Sequence, residues 1–256
     1  MTFPNGDSII EHSNPIEKEN SYMNIKSFLL AGQSNMAGRG TIGEVPPIHN
    51  EKCHMLRNGL WQPMSEPINP DRAIFEGTFR SGVGLSASFA DEFAKDRGED
   101  VGLIPCADGG TMVSQWMPGE ILFDNAVMQT RMAMRTSEFA GILWHQGEQD
   151  CRPERIACYK ERLITVMNGF RKALGAEKLP IIMGEITLIF PPDVVPDDHP
   201  AQINRIIHEV ADELPYCAVV SSEGLTLKED WIHFSSASYR EFGKRYYAAY
   251  RSVVGQ

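Results

Sequence analysis

Five short, almost wholly apolar runs, separated by longer amphipathic stretches, leave this chain few folds to choose from. The runs are Ile25 to Ala31, Val101 to Cys106, Ala140 to Trp144, Pro180 to Gly184 and Tyr216 to Val220. Runs of this kind read as strands buried on both faces of a parallel sheet. Between them, apolar residues recur at helical spacing. Leu85, Phe89, Ala90 and Phe93 form one such stripe. Ile156, Tyr159, Leu163, Val166, Met167, Phe170 and Leu174 form a second, with Pro153 suited to its first turn and Gly175 to its stop. Tyr239, Phe242, Tyr246 and Val253 mark a last helix, and weaker patterns predict helices over Phe123 to Phe139 and Pro200 to Leu214. Strand and helix alternate, so the class is α/β with a mostly parallel sheet of about five strands. In such sheets ligands bind beyond the carboxyl ends of the strands, and functional residues should follow the runs directly.

The length of 256 residues suits one large domain, assigned to 23–256, with the polar segment 1–22 as a flexible N-terminal tail. A chain of this size buries roughly three quarters of its unfolded surface, so its core needs no disulfide or metal. The net charge of -10 argues against nucleic acid or an acidic membrane surface as partner. The five cysteines, Cys53, Cys106, Cys151, Cys158 and Cys217, are odd in number and fit no zinc spacing, which points to free thiols and a reducing compartment. The first 22 residues lack the apolar centre of a signal peptide, and no run is long enough to span a bilayer, so a cytoplasmic location is expected.

Polar constellations stand where the sheet rule wants them. After the first run comes Gly32-Gln33-Ser34-Asn35-Met36. A Ser at a strand-to-loop turn can present its hydroxyl to the crevice and its own N–H to a developing oxyanion, although a helix cap would use the same residues. After the second run comes Asp108-Gly109-Gly110-Thr111, whose paired glycines allow backbone close to a ligand but match no phosphate loop. After the third comes Trp144-His145-Gln146-Gly147-Glu148-Gln149-Asp150. The Gln146 amide suits donation to a negative oxygen, while Asp150 could cap a helix and His145 could be structural. Near the C-terminus, Asp230-Trp231-Ile232-His233 sets a carboxylate three residues before an imidazole. That spacing can hold the ring Nδ1–H and leave Nε2 free to take a serine proton.

These four motifs together resemble the sialate O-acetylesterase and acetylxylan esterase branch of the SGNH hydrolases, which includes carbohydrate esterase family six. The resemblance spans Ile25 to about Val254. It implies a flavodoxin-like three-layer α/β/α sandwich and cofactor-free, metal-independent hydrolysis of acetyl esters on carbohydrates. Ser34 would be the nucleophile, His233 the base and Asp230 its partner. The N–H groups of Ser34 and Gly110 and the Gln146 amide would form the oxyanion hole, with Gln33, Asn35 and Glu148 in support. The usual Gly-Asp-Ser opening is Gly-Gln-Ser here, and Gln146 replaces the usual third-block Asn, as is normal for this branch. Trp116 is the residue expected to stack on a sugar ring. Met36 and Phe234 are core residues first and acetyl-pocket residues second.

Four other readings stay open on sequence, one of them a lipid esterase, which would want a long apolar groove. Arg39, Arg80 and Arg152 lie near the motifs and would suit an anionic sugar such as O-acetylated sialic acid. A carbohydrate-binding protein of the same fold that has lost catalysis is another. A metal hydrolase would draw on His145, Glu148, Asp150, Asp197, Asp198 and His199, without any helix-spaced ligand pair to support it.

Overall fold

The computed structural model describes residues 24–71, 80–187 and 198–255; the segment 1–22 read as a tail, and Asp197, lie outside them. In chain order the elements are β1 (Lys26–Gly32), α1 (Ser34–Ala37), β2 (Cys53–Arg57), β3 (Leu60–Pro63), α2 (Leu85–Arg97), β4 (Val101–Pro105), α3 (Ile121–Ala133), β5 (Glu138–His145), α4 (Pro153–Leu174), β6 (Ile181–Gly184), α5 (His199–Glu213), β7 (Cys217–Val220) and α6 (Ser236–Val254).

The sheet has seven strands in the order β3-β2-β4-β1-β5-β6-β7, parallel throughout except for the β2–β3 pair. The five strands expected from the apolar runs are β4-β1-β5-β6-β7, which is the flavodoxin-like order 2-1-3-4-5. The remaining two are a hairpin added at the β4 edge. Its turn is Asn58-Gly59, with φ of 49° and 76°, the residue pair that a tight hairpin turn favours.

Successive residues of β1 point to opposite faces and divide the core in two. Phe28 and Leu30 join Leu103, Leu143 and Ile182 beneath α2 and α6. Leu29 and Ala31 join Ile104, Ile142 and Ile181 beneath α3, α4 and α5. Phe28 is fully buried and meets Phe89, Phe93 and Tyr250 edge-on, with ring centroids 4.9, 5.3 and 5.1 Å away. Burying a side chain of that size contributes roughly 2–3 kcal/mol.

The helix boundaries follow local chemistry. Pro153 opens α4, and Gly175, at φ 64°, closes it with its N–H on the Arg171 and Lys172 carbonyls. Ser235 caps α6 by accepting from the Ser238 N–H. The helix expected to reach Phe139 ends instead at Ala133, and Phe139 belongs to β5. The cause is the Thr136-Ser137 pair, whose Ser137 hydroxyl and Thr136 N–H both donate to the Ala133 carbonyl, at 2.8 and 3.0 Å, and turn the chain into the sheet. Among the described residues no helix is long and apolar enough to cross a membrane.

Candidate active site

β1 lies between β4 and β5, so the chain leaves it in opposite directions on either side and opens a crevice at its carboxyl end. The turn there is tightly drawn. Gln33 N–H donates to the His145 carbonyl at 2.8 Å, and Asp108 N–H donates to the Gly32 carbonyl at 2.9 Å. These bonds lash the ends of three strands together. Gly32 has φ of 125°, and a Cβ there would overlap the His145 carbonyl, so only glycine fits. Ser34 follows as the first residue of α1 and is 6% exposed.

The loop at 230–233 brings its motif to this turn. His233 Nε2 lies 2.9 Å from Ser34 Oγ, and His233 Nδ1 lies 2.8 Å from Asp230 Oδ2. The other carboxylate oxygen, Oδ1, accepts the backbone N–H groups of Ile232 at 3.0 Å and His233 at 2.9 Å. Burial pushes the Asp230 carboxyl up, but the His233 N–H, the His233 ring and the Ile232 N–H outweigh it and hold the group below its usual range. An anion opposite Nδ1 fixes the proton there and leaves Nε2 as acceptor for the serine hydroxyl.

Asn35 ties the serine turn to that loop. Its amide donates to Glu148 Oε1 at 2.5 Å and to the Ile232 carbonyl at 3.1 Å. Its oxygen accepts from Tyr239 Oη at 2.6 Å and from the Phe234 N–H at 3.4 Å. Behind it, Glu148 Oε1 sits 3.3 Å from Nε2 of the fully buried His145. Tyr246 donates its hydroxyl proton to the Trp144 carbonyl, so its oxygen accepts from His145 Nδ1, 3.2 Å away. Glu148 thus stands between Asn35 and the fully buried His145 ring.

Burial raises the Glu148 carboxyl, yet the His145 charge and the hydrogen bonds from His145 and Asn35 prevail and keep it below the usual 4.5. A carboxyl lowered by folding adds stability above its unfolded value and loses it as pH falls through the folded one. The stability gap between the unaltered chain and Glu148→Gln is thus expected to be about 3 kcal/mol at neutral pH and to narrow below about pH 4.5. Urea unfolding at a series of pH values measures it; a gap constant with pH would contradict this account.

Two sequence expectations, for Gln146 and Trp116, meet a different geometry. The Gln146 amide, expected to face an oxyanion, is fully buried and donates to Asp150 Oδ2 at 2.5 Å, the Thr111 carbonyl at 3.0 Å and Gln33 Oε1 at 3.3 Å. Its two N–H bonds are committed inside the protein, because the buried Asp150 and Thr111 carbonyl need donors. Trp116, expected to stack on sugar, is fully buried against Trp144 and donates to Thr111 Oγ1 at 3.1 Å. Gln33 is buried too, its oxygen facing Gln146 and the N–H groups of Gly147 and Gln149. Met36 and Phe234 are core, each 1% exposed. By contrast, among the described residues no acceptor takes the N–H of Ser34 or of Gly110.

Of the three arginines, Arg80 and Arg152 are exposed. Arg39 reaches the site. A Cβ added to Gly109 would collide with Arg39 Nη2 and touch Ser34 Cβ at 3.5 Å, which places the guanidinium beside the serine. Of the residues of the metal reading, Asp197 lies outside the described residues and His145 meets Glu148 at 3.3 Å. Among the described residues no group of three or more His, Cys, Asp or Glu is arranged to hold a metal ion. His199 instead lies 3.3 Å from the Cys151 carbonyl, and Asp198 is exposed. All five cysteines are free, and burial pushes the Cys53 and Cys106 thiols up to about 12.

This sheet order and crevice are those of the SGNH-type hydrolases, and comparison with known proteins defines the chain further. Residues 24–252 match the carbohydrate esterase family described as sialic acid-specific acetylesterase, and the chain belongs to that family. It is accordingly a carboxylic ester hydrolase of the carbohydrate esterase kind. It is 29% identical over 246 residues to "Probable carbohydrate esterase At4g34215" of Arabidopsis thaliana, covering 88% of this chain and 90% of that one. The X-ray structure of that plant protein superposes with a TM-score of 0.78 at 25% identity, covering 89% of this chain and 98% of the other. The fold is shared with NanS, at a TM-score of 0.72, 16% identity and coverage of 91% and 98%. It is shared also with XAC1771, a carbohydrate acetylesterase from Xanthomonas citri, at a TM-score of 0.65, 17% identity and coverage of 90% and 57%.

Proposed function

We propose that the chain removes O-acetyl groups from carbohydrates through a covalent acetyl-Ser34 intermediate. The observation that carries this reading is the chain of contacts from Ser34 Oγ to His233 Nε2 at 2.9 Å and from His233 Nδ1 to Asp230 Oδ2 at 2.8 Å. His233 accepts the serine proton as Oγ bonds to the acetyl carbonyl carbon, and the ester C–O bond then breaks as His233 delivers that proton to the departing sugar oxygen, which leaves as a hydroxyl. Water attacks the acetyl-serine by the same roles and releases acetate. The N–H groups of Ser34 and Gly110 are the proposed oxyanion donors, since no described residue accepts from either. Gln146 acts indirectly, by fixing Gln33 and Thr111 around them.

A second reading, an anionic O-acetylated sugar such as an O-acetyl sialic acid, is favoured by the Arg39 guanidinium beside Ser34. Acetate release from acetylated xylooligosaccharides, from O-acetyl sialic acid and from nitrophenyl esters of increasing chain length tests both. The expected result is cleavage of acetylated sugars and a steep decline beyond the acetyl ester. Preference for long acyl chains would overturn the proposal, and faster cleavage of the sialic acid than of the neutral sugar would decide for the second reading.

A further inference from the structure

We infer that Trp231 is the platform on which the sugar ring rests, a specificity-determining role that builds on the proposed carbohydrate esterase reading. The indole stands on the loop between Asp230 and His233 and is 54% exposed. Of the other tryptophans, Trp116 and Trp144 are fully buried, and Trp61 is half-buried with its N–H on Thr136 Oγ1. An exposed aromatic needs no explanation by itself, and Tyr216, at φ 57° and 42% exposed, shows that a left-handed one also occurs just before β7. At Trp231 the disfavoured backbone lies inside the loop that carries Asp230 and His233.

Trp231 has φ of 60°, a left-handed conformation that is a genuine outlier for a bulky residue. The loop requires that conformation. It reverses the chain so that Ile232 N–H and His233 N–H both reach Asp230 Oδ1 while the His233 ring reaches Oδ2. The turn is closed by the Trp231 backbone N–H on the Lys228 carbonyl at 3.1 Å, a bond that any residue but proline could make. Glycine or asparagine would hold the same turn with less strain. The position therefore carries a residue that the backbone disfavours and that the core does not bury. Strain retained at such a place is grounds for a functional reading. What an indole adds two residues from the base is a flat apolar face with a polar edge, the shape that receives the C–H face of a pyranose ring.

The test compares Trp231→Asn, which suits the left-handed turn, with Trp231→Tyr, which keeps an aromatic face. The readout is the ratio of kcat/KM for an acetylated xylooligosaccharide to kcat/KM for ethyl acetate, which has no ring to stack. In Trp231→Asn this ratio is expected to fall roughly tenfold, through KM for the sugar, and to recover largely in Trp231→Tyr. The melting temperature of Trp231→Asn should equal or exceed that of the unaltered chain, since the strain is relieved. A ratio unchanged in Trp231→Asn, or equal losses on both esters, overturns the Trp231 assignment alone. Ethyl acetate cleavage by the unaltered chain with no cleavage of any acetylated sugar would overturn the carbohydrate reading as well.

Discussion

Ser34→Ala is expected to lower kcat on acetyl esters by about a millionfold, with only a small loss of stability. The size follows from how nucleophile and base act as one unit, so that removing either leaves only binding and oxyanion stabilisation. The small structural effect follows from the contacts. The Ser34 hydroxyl has His233 Nε2 as its hydrogen-bond partner, and no fold-defining bond passes through it. Loss of one such bond costs about 1 kcal/mol. Single-turnover kinetics and mass spectrometry of the quenched reaction measure both consequences. The unaltered chain should carry an acetyl group on Ser34, and the variant none. A variant that keeps a tenth of the activity, or an adduct on another serine, would show the nucleophile to be elsewhere.

Asp230→Asn is expected to cut kcat by about a thousandfold to ten-thousandfold while binding survives. An asparagine has the right shape but must choose an orientation. Its oxygen is wanted at the Oδ1 position, where Ile232 N–H and His233 N–H donate. That choice puts the amide NH2 against His233 Nδ1, which must then accept, and the ring proton moves to Nε2, where it cannot take a proton from Ser34. The opposite orientation restores the tautomer but faces two backbone N–H groups with another donor. Both orientations forfeit the anion that stabilises the imidazolium. Steady-state kinetics on one acetylated sugar check this; a loss below tenfold would mean that Asp230 only shapes the loop.

The parallel core was legible because β1, β4, β6 and the second half of β5 are buried on both faces, and even the half-buried edge strand β7 keeps a nearly unbroken apolar run. The β2–β3 hairpin was not read, because His54 and Arg57 interrupt β2 and three of the four residues of β3 are exposed. Asn58-Gly59 was the signal that could have found it. In the site, residue type and chain position singled out Ser34, Asp230 and His233, and the fold brings these three together. The orientation of a buried amide is not written in residue type. The motif presents Gln146 as an outward donor because the Thr111 carbonyl becomes its neighbour only in three dimensions, and nothing in the sequence shows that Asp150, four residues on, turns back to accept from it. Trp116 looked like a loop residue after two glycines, but Val113–Trp116 winds into a 3₁₀ turn held by the Val113 N–H on Asp150 Oδ2. The standing of Trp231 is not legible in the sequence, because periodicity says nothing about a left-handed backbone on a surface loop.

The contact between Ser34 and His233 joins positions 199 residues apart, one beside the first strand and the other just ahead of the last helix. A chain in which α6 has yet to dock, with Tyr239 not yet on Asn35 and Tyr246 not yet on His145, has a serine with no partner to activate it. On the proposed mechanism, hydrolytic competence arrives with the finished tertiary structure, and catalysis itself becomes an assay for completed folding. Frayed or half-made molecules, whatever acetylated sugar they meet, stay chemically silent.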